Sequence, residues 1–373
     1  MKFVISSSAL TSLLTTTGKV ISNKNTLPIL DYFLFELAGK ELTVTASDLE
    51  TTMISKITVD SVESEGVIAV PLKIIDSLKD IPEQPLTIES DDETWMIKIS
   101  RKNGSSQIPG TSGLSYPTLP ELEADAVSTE FDADTLQMGI NKCVFATADD
   151  EMRPVMNGIY VNAAGKEVVF VATDGHKMVK FTSEEENEVA ASFILSKKPA
   201  NVLKNMLVKE EGAIAVSSDK KNVVFTLSKC KLICRLIEGV YPNYNAAIPQ
   251  ANPYKVIVDR VEFINAIKRV AVCSNQATNL IKLDIDTNVI NLTAQDLDFS
   301  YSAEESVACS YEGAHIEIAF KSTYIIDLLN NLDTPSVMIE LADSSRAGVF
   351  KPIYTDAQST NTLMLLMPMR INA

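Results

Sequence analysis

Apolar residues recur at three- and four-residue spacing in six stretches of the chain: 7–22, 71–81, 134–147, 196–207, 259–273 and 321–332. That spacing gathers them on one face of a helix, so each stretch reads as an amphipathic helix. Asp259, just ahead of the run RVEFINAI, is suited to cap the fifth. Between these stretches apolar and polar residues alternate in runs such as YFLFEL, IYVN, VVFTL and VMIEL, separated by Gly, Asp and Asn. Period-two alternation bounded by turn residues predicts antiparallel strands.

The pattern repeats. LAGKELTVTASD (37–48) and AAGKEVVFVATD (163–174) align at an offset of 126, and Pro28 and Pro154 each sit 20 residues before the aspartate that ends the match. A fainter third copy, TNVINLTAQDLD (287–298), places Asp296 a further 122 residues on. Each copy has one helix-like stretch before its strands and one after. Tyr-Pro recurs at Tyr116-Pro117 and Tyr241-Pro242, and the proline-rich segments PTLPELEAD and IPQANPYK read as linkers. The chain is therefore read as three α+β domains of about 125 residues, 1–122, 123–250 and 251–373, each with two helices packed on antiparallel sheet. A period this long marks a repeated domain rather than a solenoid turn.

Composition narrows the class. Apolar residues make up 46% and charged residues 22% of 373, as in soluble globular proteins. No apolar run reaches the roughly 18 residues that span a bilayer. The apolar patch after Lys2 is broken throughout by Ser and Thr and closed by no small-x-small site, so the N-terminus reads as a strand (Lys2–Ser6) and then a helix rather than an export signal. The five cysteines are odd in number and irregular in spacing, which implies no disulfide framework and a reduced, cytoplasmic setting. Cys230 and Cys234 are the one close pair, on one face of a predicted strand; with no second pair and no nearby histidine, they do not make a zinc site.

The chemistry-bearing stretch is VVFVATDGHKMVKF (168–181), where His176, one of two histidines, follows Asp174 by two positions. A hydrolase-type enzyme built on Asp174 and His176 is one reading. The repeat supplies an internal control: the aspartate is present in all three copies (Asp48, Asp174, Asp296), while the position two residues later is Glu50, His176 or Asp298. The aspartate then has a shared structural task, accepting turn N–H groups at a strand end. No G-x-S-x-G elbow, Gly-rich phosphate loop or metal-ligand spacing accompanies it. His176 is read as a turn or pocket-wall residue, His315 in HIEIAF as a surface residue, and no catalysis, cofactor or metal is expected.

Charge is segregated. The net charge of −16 argues at first against nucleic acid. The six helix-like stretches, however, carry eleven cations and six anions, so they stand at +5 and the remainder at −21. Such a protein could meet phosphates on a basic helical face while repelling them elsewhere. A repeat scaffold with no nucleic-acid role, its lysines merely solvated, is the other reading of the same helices.

TLPIL (26–30) with ASDLE (46–50), RPVMNG (153–158) with ATDGHK (172–177), YPNY (241–244) and MPMR (367–370) together resemble the bacterial DNA polymerase III β subunit family, the sliding clamps. The resemblance runs the full length in the same three-domain order. It implies that each chain forms half of a ring, and that two chains close head to tail with twelve helices toward a central hole. Helices packed about 10 Å apart give a circle of axes about 19 Å across for six and about 38 Å for twelve, and only the latter leaves a hole, near 28 Å, that clears B-DNA. It implies a processivity factor linked around double-stranded DNA without sequence readout, with Lys24, Lys73, Lys142, Arg153, Lys197, Lys198 and Arg269 facing the duplex. It implies a partner-peptide pocket of Met156, Thr173, Gly175, His176, Lys177, Met178, Pro242, Leu366, Met367, Pro368, Met369 and Arg370, serving replicative and repair DNA polymerases, the clamp loader, mismatch-repair proteins and ligase. Flexible thioethers there would adapt to several peptides. A homodimer interface through Ile108, Val272 and Cys273 follows too, with no membrane association. This chain departs from the family at Lys177 and Met178, where arginine and leucine are common, in NAAIP after YPNY, which lacks an arginine, and at Ser106 and Cys273, less apolar than usual at the ring interface.

Overall fold

The computed structural model describes residues 1–22, 24–354 and 360–370. Among them are six α-helices: α1 (Ser7–Thr17), α2 (Ile74–Leu78), α3 (Ala133–Cys143), α4 (Lys197–Leu207), α5 (Arg260–Ala271) and α6 (Ser322–Asn330). Each falls inside a stretch the periodicity marked, give or take a residue. Ser6 caps α1 by accepting from the Ala9 N–H (3.2 Å), and Asp259 caps α5 by accepting from the Glu262 N–H (2.8 Å), the aspartate cap expected there. The second helix is much shorter than 71–81, because Pro71 still belongs to the preceding strand and Leu72-Lys73 form a turn. Gly139 lets α3 lie directly on the sheet: a Cβ there would meet the Phe170 ring at 2.4 Å.

Every strand pairing among the described residues is antiparallel, and the chain divides into two compact units. The first comprises Met1–Ala133 and Asn205–Leu236, the second Asp134–Lys204 and the chain from Ile237 onward. The first unit holds a five-stranded sheet in the order Ser61–Ser64, Lys2–Ser6, Pro85–Ser90, Met96–Arg101, Gly104–Pro109. It also holds a nine-stranded sheet that runs from Thr111–Ser112 through Tyr32–Ala38, Glu41–Ser47 and Thr51–Thr58 to Cys230–Arg235 and ends at Val127–Asp132. The second unit holds a ten-stranded sheet that begins Gly158–Thr173, Lys177–Ser196, Thr360–Leu366 and ends Val289–Asp296, Leu280–Asp286, Ile316–Lys321. Alternation buries one face of each sheet under the helices. Phe3, Phe33, Phe35, Phe131 and Phe225 fill the core of the first unit and Phe170, Phe181, Phe263, Phe320 and Phe350 that of the second, all fully buried.

The units do not follow the sequence repeat, because sheets run on through the repeat boundaries. Thr51–Thr58 of the first repeat pairs with Cys230–Arg235 of the second, and Lys177–Ser196 of the second pairs with Thr360–Leu366 of the third. Both junctions are stitched alike: the Arg235 N–H donates to the Glu50 carbonyl (2.7 Å) and the Met367 N–H to the His176 carbonyl (2.9 Å). All five cysteines are free, and the described helices include none long and apolar enough to cross a membrane.

Candidate functional site

The shared aspartate does what the repeat implied. Asp48 Oδ1 accepts from the Glu50 and Thr51 N–H groups (3.0 and 2.7 Å), Asp174 Oδ1 from His176 and Lys177 (2.9 and 2.8 Å), and Asp296 Oδ1 from Asp298 (3.1 Å). In each copy it closes a turn between two strands. At Gly175 that turn has φ +88°, in the left-handed region glycine adopts without strain.

The second copy adds chemistry to this turn. Lys177 is nearly buried, with a side chain 7% exposed, and its ammonium is held 2.8 Å from Asp174 Oδ2. The Tyr324 ring of α6 lies 4.4 Å from that ammonium and 4.8 Å from Lys321 Nζ, and stacks against the His176 ring at a centroid distance of 6.0 Å. One aromatic ring thus contacts two cations and a histidine. Burial alone raises the Asp174 carboxyl, but the Lys177 ammonium and the turn N–H groups outweigh it and hold the group below the ordinary aspartate value. Both Asp174 oxygens are engaged by the turn and the lysine, while the His176 ring packs on tyrosine, so the two do not form an acid–base pair.

Around the turn is an apolar cavity of about 170 Å³. Met156 comes from a 3₁₀ turn (Pro154–Met156), whose end is fixed by the Ala148 N–H donating to the Met156 carbonyl (2.8 Å). Thr173, Gly175, His176, Lys177 and Met178 come from the strand ends and the turn, Pro242 from the YPNY segment, and Met367 from just after the last strand. The structure therefore brings together eight of the twelve residues expected for the pocket. Leu366 is not among them. Strand alternation buries it on the opposite face and presents Leu365 to the cavity instead. Pro368, Met369 and Arg370 also lie beyond the lining; Met369 turns away to donate its N–H to the Ala319 carbonyl (2.7 Å). Asn243, and Tyr244 and Ala247 from the 3₁₀ turn it precedes (Tyr244–Ala247), line the cavity in addition. Asn243 and Tyr244 belong to YPNY itself and Ala247 follows it closely, which was the available signal. Tyr244 is braced by Tyr160 (6.1 Å between centroids), which stacks on Tyr241 (5.1 Å), and burial raises the Tyr241 hydroxyl well above the ordinary tyrosine value. The cavity falls below the roughly 300–1,000 Å³ of small-molecule sites and suits one or two side chains of a peptide.

The seven cations expected to face DNA divide into two groups. Lys24, Lys73, Lys197 and Lys198 are exposed. Lys142 is pinned by Asp333 (3.0 Å) and the Asn331 carbonyl (3.1 Å), and Arg269 by Glu305 (Nε to Oε2, 2.9 Å). Arg153 pairs with Asp150 (2.9 Å) and lies over Gly175 at the cavity rim, where a Cβ would meet its Nη1 at 2.7 Å. These three charges are locally compensated. Of the interface residues, Ile108 is 9% exposed on the edge strand Gly104–Pro109, and Val272 is 80% exposed at the end of α5 beside Cys273.

Comparison with known proteins agrees with this geometry along the whole chain. The DNA polymerase III beta subunit family matches in order, its N-terminal domain at residues 1–126, its central domain at 130–243 and its C-terminal domain at 245–370. The beta sliding clamp of Pseudomonas putida is 26% identical and that of Salmonella typhimurium 27% identical, each over 100% of both chains. Among solved structures, the Thermotoga maritima DNA polymerase III beta subunit superposes with a TM-score of 0.90 at 26% identity, covering 100% of both chains. The Pseudomonas aeruginosa DNA polymerase sliding clamp shares the fold at a TM-score of 0.93 and 24% identity, again over 100% of both chains. With three family domains matched in sequence order and relatives aligned end to end, the chain belongs to the DNA polymerase III beta subunit family.

Proposed function

We propose that two copies of this chain close head to tail into a ring around double-stranded DNA, and that the cavity at Asp174–Met178 docks peptides of DNA polymerases and other replication and repair partners. The strand partners carry this reading. In the first and second repeats, the strand after the shared aspartate pairs with the last strand of the next repeat. The third repeat's counterpart, Tyr301–Ser310, pairs along its far flank only at Cys309 and Ser310 among the described residues. In the first repeat, Gly104–Pro109, which the offset of 126 maps onto Cys230–Arg235, ends its sheet. Continuing the rule requires a second chain, with Gly104–Pro109 of one copy on Tyr301–Ser310 of the other.

The repeat also supplies the register. Cys234 faces Thr51 and Leu366 faces Lys177, the residues that pair with the turn aspartate at the foot of the strand. Asp296 pairs with Tyr301, so Ile108 of one copy falls opposite Tyr301 of its partner. Exposed Tyr301, Phe299 and Val272 lie where such an interface would cover them. The domain limits 1–122, 123–250 and 251–373 are part of this reading, as is a cytoplasmic setting. Exposed Lys24, Lys73, Lys197 and Lys198 are the lysines assigned to the duplex, and non-specific phosphate attraction is all that a topologically linked ring needs. The protein is loaded onto circular DNA by a clamp loader and the DNA is then linearised. A linked ring is retained on the circle and lost from the ends; a conventional binder stays on both, and that result rejects the reading.

A further inference from the structure

The outward face of the second unit's sheet carries a donor cluster that neither the pocket nor the ring uses. Alternation in Leu280–Asp286 buries Ile281, Leu283 and Ile285 and turns Lys282 and Asp284 outward; in Ile316–Lys321 it buries Ile316 and Ile318 and exposes Glu317. The register sets Asp284 directly opposite Glu317. His315, two residues before Glu317, stands on the same face. His315 Nε2 lies 2.9 Å from Asp284 Oδ1, and the ligand atoms of Asp284, His315 and Glu317 all lie within 4.8 Å of one another. Lys282 Nζ reaches Glu317 Oε1 at 3.2 Å, which holds the carboxylate on this face.

Like charges placed directly opposite across a strand pair repel; Lys282 beside Glu317 and His315 beside Asp284 ease that repulsion, and a divalent cation between the carboxylates would remove it. Imidazole nitrogen and carboxylate oxygen are both donors that zinc accepts, and three of them leave a fourth tetrahedral position for water. Magnesium and calcium, which take six or more oxygens, suit it less. Donors about 2.0–2.2 Å from a tetrahedral ion sit about 3.3 Å apart. The His315–Asp284 pair is already near that spacing, and Glu317, whose side chain is 47% exposed, can rotate to close the third side.

We propose that Asp284, His315 and Glu317 form a zinc-binding site that ties the edge strand Ile316–Lys321 to Leu280–Asp286. The tie extends to the segment after Met367, because the Met369 N–H is anchored on the Ala319 carbonyl of that edge strand. The test is calorimetric titration of the metal-free, full-length protein with zinc sulfate, with melting followed in parallel. One zinc per chain is expected to bind in the micromolar range and to raise the melting temperature. His315→Ala, and separately Asp284→Asn with Glu317→Gln, should weaken that binding at least tenfold and abolish the zinc-induced rise. All three positions lie on the sheet surface, so matching metal-free melting curves will verify the fold of each variant. Absence of zinc uptake by the unaltered chain overturns the assignment, and so does uptake that His315→Ala leaves intact.

Discussion

Val272 offers the sharpest test of ring closure, because it is 80% exposed in the single chain and its truncation should leave folding almost untouched. Val272→Ala removes two methyl-sized groups. At about 0.8 kcal/mol per buried carbon, full burial at the interface contributes about 1.6 kcal/mol. A head-to-tail dimer has two such interfaces, so the ring loses about 3 kcal/mol, which raises its dissociation constant by about 200-fold. Sedimentation equilibrium across a concentration series measures that constant, and thermal melting of the dilute chain should shift by no more than a surface substitution does, within about 0.5 kcal/mol. Cys273→Leu, at the adjoining position, should act in the opposite direction. The reasoning is refuted if Val272→Ala changes the dimer constant by less than about tenfold, or if it destabilises the single chain as a core truncation would.

Asp174→Ala leaves the Lys177 ammonium nearly buried without its carboxylate, and should cost about 3 kcal/mol in urea unfolding; an unchanged midpoint would show that water replaces the carboxylate freely. The Asp174 carboxyl is held below its unfolded value of about 3.9, so its stabilisation is full above that pH and is lost as pH falls through the folded value; Asp174→Asn should therefore flatten the dependence of the urea midpoint on pH below about pH 4. Met367→Ala or Tyr244→Ala should weaken a bound partner peptide by about tenfold in fluorescence anisotropy without altering the circular dichroism spectrum, since each removes a wall of the cavity. Replacing Lys73 and Lys197 with Ala should shorten primer-extension products and reduce the salt dependence of DNA retention, whereas Lys142→Ala and Arg269→Ala, whose cations are held by Asp333 and Glu305, should do so much less.

Periodicity and the repeat determined much on their own. They marked the six helices, the antiparallel strands and the turn task of Asp48, Asp174 and Asp296, because amphipathic spacing and turn chemistry are local and each copy checks the others. The motifs also pointed to twelve pocket residues, of which eight line the cavity. What they could not supply was the set of facts that depends on which strand lies beside which. The three domains read from the repeat match the family's three in order, but the repeat did not show that sheets run on through its boundaries, where pairing Thr51–Thr58 with Cys230–Arg235 satisfies backbone groups that would otherwise be left at an edge. Leu365 rather than Leu366 faces the cavity because one step along a strand reverses the side. Lys142 and Arg269 counted as free cations in the sequence, and only the fold brought Asp333 and Glu305 to them, whereas Asp150 is a local partner three residues before Arg153. Asp284 and His315 are 31 residues apart, and their meeting was likewise decided by strand register alone. Local pattern sets what each segment can become; the partners that fix its charge, its exposed face and its chemistry come from distant parts of the chain.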